Sequence, residues 1–261
     1  MKNSILIFST VLIAFSLTAF GCVNSEEETS CCNSNDSELD GEEPRAKQVN
    51  PDFVYNVGSR FRATITKEKL LSAKTIVDLV PNGATEGLDS FQDVKISALR
   101  KDGERNEIGI NTELNSAQIK LLESFDYSTN FYIEADCKHK NPETGEIERY
   151  HFVYYVTIVP ENEAEYKDGQ LALMNYLKEN SWEETVTTKK EHLKPGRVLF
   201  TVTQSGKIAN VKLESTSGYT TIDKKMIKLI KALPGEWIPA TNSNGEKVSQ
   251  ELVFSFGIIG C

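Results

Sequence analysis

The chain has 261 residues, a formal net charge of −9 and five cysteines. That balance excludes a dedicated nucleic-acid binder, which needs clustered Lys and Arg outweighing the acids. The length allows one to two domains with sizeable cores. Cys22, Cys31, Cys32, Cys137 and Cys261 form no C-x-x-C pair and have no His at metal-site spacing, so neither a metal nor a cofactor is expected.

Met1-Lys2-Asn3 gives a short positive start, and residues 4–20 carry no charge. With its small and hydroxylated residues, this run falls short of the roughly 20 predominantly apolar residues a membrane span needs. A charged start, an apolar middle and a small-residue exit predict a signal peptide over residues 1–21. The exit, Ala19-Phe20-Gly21-Cys22, resembles the lipobox of bacterial lipoproteins, with Phe20 departing from the usual small residue before the Gly. The resemblance implies that Cys22 is acylated and becomes the new amino terminus. It also implies an envelope protein held to a membrane by lipid, with the outer membrane expected and its periplasmic and surface sides both open. More than one acyl chain makes such an anchor stable.

Residues 22–51 are predicted to be a disordered acidic tether, because eight acids face only Arg45 and Lys47 and almost nothing apolar is available to offset ordering entropy. Ser25-Glu26-Glu27-Glu28 resembles the acidic signal that sends some Bacteroidota lipoproteins to the outer face of the outer membrane; a plain solvated charge run is the alternative. Cys31-Cys32 leaves intermolecular pairing and exposed thiols both open, since vicinal disulfides are strained.

Residues 52–161 are expected to form a β-rich domain. Phe61-Ala63-Ile65, Val94-Ile96-Ala98 and Phe131-Ile133-Ala135-Cys137 alternate as strands, and residues 150–159 read as a central strand apolar on both faces. Asn141-Pro142-Glu143-Thr144-Gly145 makes the turn joining the last two. A helix is predicted over residues 67–80, with Leu70, Ala73, Val77 and Val80 as its stripe. Asn115 or Ser116 caps a second helix through Ile119 to Leu122. Cys137 shares a face with Phe131, Ile133 and Ala135, which predicts a buried free thiol. From Ala73-Lys74 through Ser90-Phe91 and Ile119 to Phe131-Tyr132-Ile133-Glu134, the block resembles the β-rich carboxy-terminal domain of Bacteroidota gliding-motility and type IX secretion core proteins. That domain is a structural and binding module.

Residues 165–261 are expected to form a second domain in the order helix, β-hairpin, helix, strand. Leu171, Leu173, Met174 and Leu177 make the first stripe, residues 196–203 and 208–215 flank the turn Gln204-Ser205-Gly206-Lys207, and residues 251–259 alternate as the final strand. Ile222, Met226, Leu229, Ile230 and Leu233 form an amphipathic helix, capped by Thr220 or Thr221 and ended by Pro234-Gly235. Gly169, Ala172-Leu173-Met174, Tyr176-Leu177, Gly196-Arg197-Val198, Gly206-Lys207-Ile208-Ala209-Asn210-Val211, Trp237-Ile238-Pro239 and Asn244-Gly245-Glu246-Lys247-Val248 occur in that order, and the region resembles the carboxy-terminal domain of TonB. The fold class expected for the whole chain is therefore α+β: a β-rich domain, then a TonB-like domain with a three-stranded antiparallel sheet and two helices.

The resemblance implies a protein partner, such as an extended segment of an outer-membrane receptor, captured by strand addition on the last strand. Carried onto this chain, the binding edge is the backbone of Ser249, Glu251, Val253, Ser255 and Gly257. An edge with so little charge needs a partner or a cover. The departures are a cleavable leader where a transducer keeps a membrane helix, only eight prolines, no Tyr-Pro before the first strand, and Ala240 where the family has Gly. They argue against energy transduction by the chain itself. Among the three histidines, His139 lies between Lys138 and Lys140, His151 on a strand and His192 in a loop. No nucleophile elbow or phosphate loop occurs, so no catalytic residue is expected. The competing expectation is a structural component of an envelope or surface assembly.

Overall fold

The computed structural model describes residues 50, 53–99, 103, 105–141 and 143–258; the predicted signal peptide, nearly all of the predicted tether, Cys22, Cys31, Cys32 and Cys261 lie outside the described residues. The fold is mixed α+β, with two hydrophobic cores. Its first strand, β1 (Val54–Gly58), belongs to the second core rather than to the domain in which its position in the chain placed it.

The first core is built by β2 (Thr64–Thr66), α1 (Lys67–Ser72), β3 (Leu88–Ala98), β4 (Arg105–Gly109), α2 (Ser116–Glu123), β5 (Asn130–Lys140) and β6 (Ile147–Val159). Its sheet runs β2-β6-β5-β3-β4, antiparallel except for the β2–β6 pair. Alternation decides which side chains go in: Phe131, Ile133, Ala135 and Cys137 of β5 face the core with Val94, Ile96 and Ala98 of β3. Asn115 caps α2, accepting from the N–H groups of Ala117 and Gln118 while Gln118 accepts from Asn115 N–H. Sequence reading missed β4.

Two expectations are corrected in this half. The helix over 67–80 stops at Ser72 and gives way to a 3-10 turn at Ile76–Leu79. Asp78 accepts from the backbone N–H groups of Lys74 and Thr75 at 2.9 and 2.8 Å, which ends one helix and starts the next turn. Ile76 and Leu79 are buried in consequence, and Val77 is exposed. Strand β6 is buried on both faces only towards its end; Val153 and Tyr155 lie open on the outer face.

The second core is built by β7 (Glu165–Tyr166), α3 (Gly169–Thr185), β8 (Pro195–Val202), β9 (Ile208–Ser215), α4 (Thr220–Lys231), β10 (Trp237–Ile238), β11 (Ala240–Thr241), β12 (Lys247–Val248) and β13 (Gln250–Gly257). The order helix, hairpin, helix, strand is as expected. The sheet has four strands, β1-β13-β8-β9, where three were expected. Val198, Phe200 and Val202 alternate inward with Leu252, Phe254 and Phe256, and meet Leu173 and Leu177 of α3 and Ile222, Met226 and Ile230 of α4. Neither Thr220 nor Thr221 caps α4. No side chain caps the helix at Tyr219; the buried Asp223 instead fixes the chain leading into it, accepting from Ser217 N–H and from the hydroxyls of Thr216 and Ser217.

The two halves are joined by side chains reaching across. Ser128 Oγ accepts from Glu251 N–H at 2.9 Å; the linker ahead of β7 is held by Gln250, which accepts from Ala164 N–H and donates to Glu163 at 2.7 Å each, and by Ser59, which donates to Glu163 at 2.8 Å. Arg60 pairs with Glu214 across the same junction.

Candidate functional site: the last strand and its cover

The residues expected to form a free binding edge lie in and beside β13. Ser249 precedes the strand; Glu251, Val253, Ser255 and Gly257 are within it. The edge is not free. β1 pairs antiparallel with β13 from Val54 opposite Gly257 to Gly58 opposite Val253, while β8 pairs along the other side. Beyond the end of β1, Ser128 takes the N–H of Glu251. The last strand is therefore an interior strand, and the cover that a low-charge edge requires comes from residues 53–58.

The cover is held from behind by α3, with which β1 runs antiparallel. Asn50 donates to Thr188 Oγ1 at 2.9 Å, the Tyr55 hydroxyl lies 2.8 Å from Ser181 Oγ, and Gln170 donates to the Val57 carbonyl at 2.9 Å. Ser181 gives its single proton to Leu177 O at 2.6 Å. Tyr55 must then be the donor in its bond to Ser181. Burial raises the Tyr55 phenol above its ordinary value.

Shape completes the groove. Phe53 and Val57 are buried, and Tyr55 stacks with Phe254 at 6.3 Å between ring centroids. Phe254 leans on Phe256 at 5.2 Å. Gly196 lies opposite Phe256, and a Cβ placed there would come within 2.5 Å of that ring.

Three other regions carry polar or reactive groups. On the outer face of the five-stranded sheet, Lys95 Nζ lies 3.1 Å from Tyr132 OH and 3.5 Å from Glu134. His151 sits between Glu134 at 3.2 Å and Asp136 at 3.1 Å. Two carboxylates fix this imidazole, and among the described residues no hydroxyl or thiol is bonded to it. The sequence held a signal for it: with Asn141 bonded to Glu146 at the turn, counting outward places Asp136 opposite His151. Cys137 is buried and unpaired, its thiol pushed up by burial and then by the charge of Asp136. Between the halves, a cleft of about 610 Å³ is lined by Leu99, Phe125 and Leu199 together with the Arg60–Glu214 and Lys212–Glu251 pairs.

Among the described residues, no group of three or more His, Cys, Asp or Glu is placed to hold a metal ion, and no helix is long and apolar enough to cross a membrane. No protein-family model, curated protein or solved structure matches the chain.

Proposed function

We propose that the chain is a lipid-anchored protein of the cell envelope whose folded body is a non-catalytic module for binding protein partners, without energy transduction of its own. The observation that carries this reading is the groove between β13 and α3. There an extended segment is already held by main-chain pairing and by three polar contacts from the helix side, the physical format of β-augmentation. The class of partner that suits this format is an extended protein segment, such as one from an outer-membrane receptor. A second reading, a structural component of an envelope assembly, is favoured by the buried Gln250 and by the Glu163 bonds that hold the linker between the cores.

Photocrosslinking in cells separates the two. A photoreactive residue at Ser255 is expected to yield an adduct with an envelope protein. A stoichiometric neighbour trapped from Ile108, on the far sheet, with nothing from Ser255, supports the structural reading instead. Mass spectrometry of the membrane fraction checks the anchor, where an unacylated Cys22 removes that part of the proposal.

A further inference from the structure

We infer that β1 is a resident occupant of the partner groove, exchanged for an incoming segment rather than supplemented by one. The inference rests on the partner-binding reading and adds its regulation. In this four-stranded sheet the opposite outer edge, β9, is closed to simple addition. Strand β9 breaks register with β8 twice and carries Asn210 at φ 53°, which bends its edge away from regular pairing. In the five-stranded sheet, β2 pairs with β6 only at Thr157, Ile158 and Val159, and among the described residues no strand occupies the outer side of β6 before them. The groove at β13 is long and regular, five residue pairs without a break, and is filled by the chain itself.

The occupant reports what the groove selects. Phe53, Tyr55 and Val57 point inward, Asn56 is exposed, and a Cβ added at Gly58 would meet nothing within 4 Å. A competing segment therefore needs an aromatic, a second aromatic two residues on and a β-branched residue two further, running antiparallel to β13, with polar residues tolerated between. Its second aromatic gains a hydroxyl partner in Ser181, and its backbone carbonyl near the far end meets Gln170. Leaving is local: β1 is an edge strand, joined to β2 through Ser59 and Arg60, whose bonds to Glu163 and Glu214 stay in place when residues 53–58 peel away.

The test uses the full chain carrying Asn56→Cys and Ser255→Cys. These residues face each other across the β1–β13 pair, where antiparallel partners lie about 4.5–5.5 Å apart, within disulfide reach. The probe is a fluorescent synthetic peptide with the sequence of residues 50–59. Exchange predicts that the peptide binds the reduced chain at least about tenfold better than the oxidised chain, with the 56–255 bridge confirmed by mass spectrometry. In the unsubstituted chain, amide hydrogens of β1 are expected to exchange with deuterium at least about tenfold faster than those of β8. Equal peptide binding to both forms overturns the inference, as does β1 exchange no faster than that of β8. Neither measurement involves an envelope partner. Failure here therefore marks β1 as permanent while a partner remains free to bind elsewhere, and an absent crosslink at Ser255 marks the reverse.

Discussion

Gly196 shows how closely the second core is fitted. Its missing side chain makes room for the Phe256 ring directly opposite. Gly196→Ala forces the ring or the strand aside and is expected to cost about 1–3 kcal/mol, the range for overpacking. Gly58 provides the contrast, since a Cβ there meets nothing within 4 Å. Gly58→Ala should be neutral or slightly stabilising, by up to about 1 kcal/mol through the unfolded chain. Urea midpoints for the two variants check the pair, and equal shifts would contradict the close approach of Phe256. Neither glycine's role is readable from local sequence, because the clash at 196 belongs to a residue sixty positions away. Asp78 was within reach: Thr75-x-x-Asp78 has capping-box spacing, but the stripe of Leu70, Ala73, Val77 and Val80 pointed to an unbroken helix.

For the elements, the alternating strands and the amphipathic stripe of α4 were legible because their periodicity is local. The partner of β13 was not. Phe53, Tyr55 and Val57 alternate as a strand should, yet periodicity does not say which sheet takes the strand, and its partner lies near the opposite end of the chain. Fully burying a Phe or Val side chain is worth roughly 1.5–3 kcal/mol, so the apolar contacts dominate the docking of β1 and Tyr55 adds selectivity. Tyr55→Phe is expected to cost about 0.5–1.5 kcal/mol at neutral pH, the net worth of one hydrogen bond. Because burial raises the docked phenol's pKa, docked β1 keeps its proton at a pH where free β1 has begun to lose it. The contribution is at full strength below about pH 10 and is lost as pH rises through the higher docked value. Urea denaturation at neutral pH and above pH 10 should therefore show the advantage of wild type over Tyr55→Phe shrinking in alkali. An advantage that holds constant would place the phenol in solvent.

Across the whole molecule, the two cores depend on one junction. Gln250 is 1% exposed and satisfies both ends of its amide on Glu163 and Ala164, in the linker between the cores. Gln250→Ala leaves Ala164 N–H and the Glu163 carboxylate without those bonds, a loss of about 1–3 kcal/mol. Calorimetry is expected to show one cooperative transition for the wild type and two separated transitions for the variant. A single transition at an unchanged midpoint would mean that the halves are coupled elsewhere. This dependence was not legible beforehand, since two domains read separately leave Gln250 an ordinary polar residue at the start of a strand.

Strand β13 also sets a timetable. It stands between β1 and β8, yet every other described element precedes it in the chain. During synthesis from the amino end, β1 is made early and waits without its pairing partner until the final segment emerges. Contacts of such long sequence separation slow folding, and unpaired apolar strands invite association in the interval. Under the proposed envelope location, the chain meets that interval twice, once at the ribosome and once on the far side of the membrane. Its yield should then be limited less by the stability of the finished fold than by how long Phe53, Val57 and the inner faces of β8 stay uncovered.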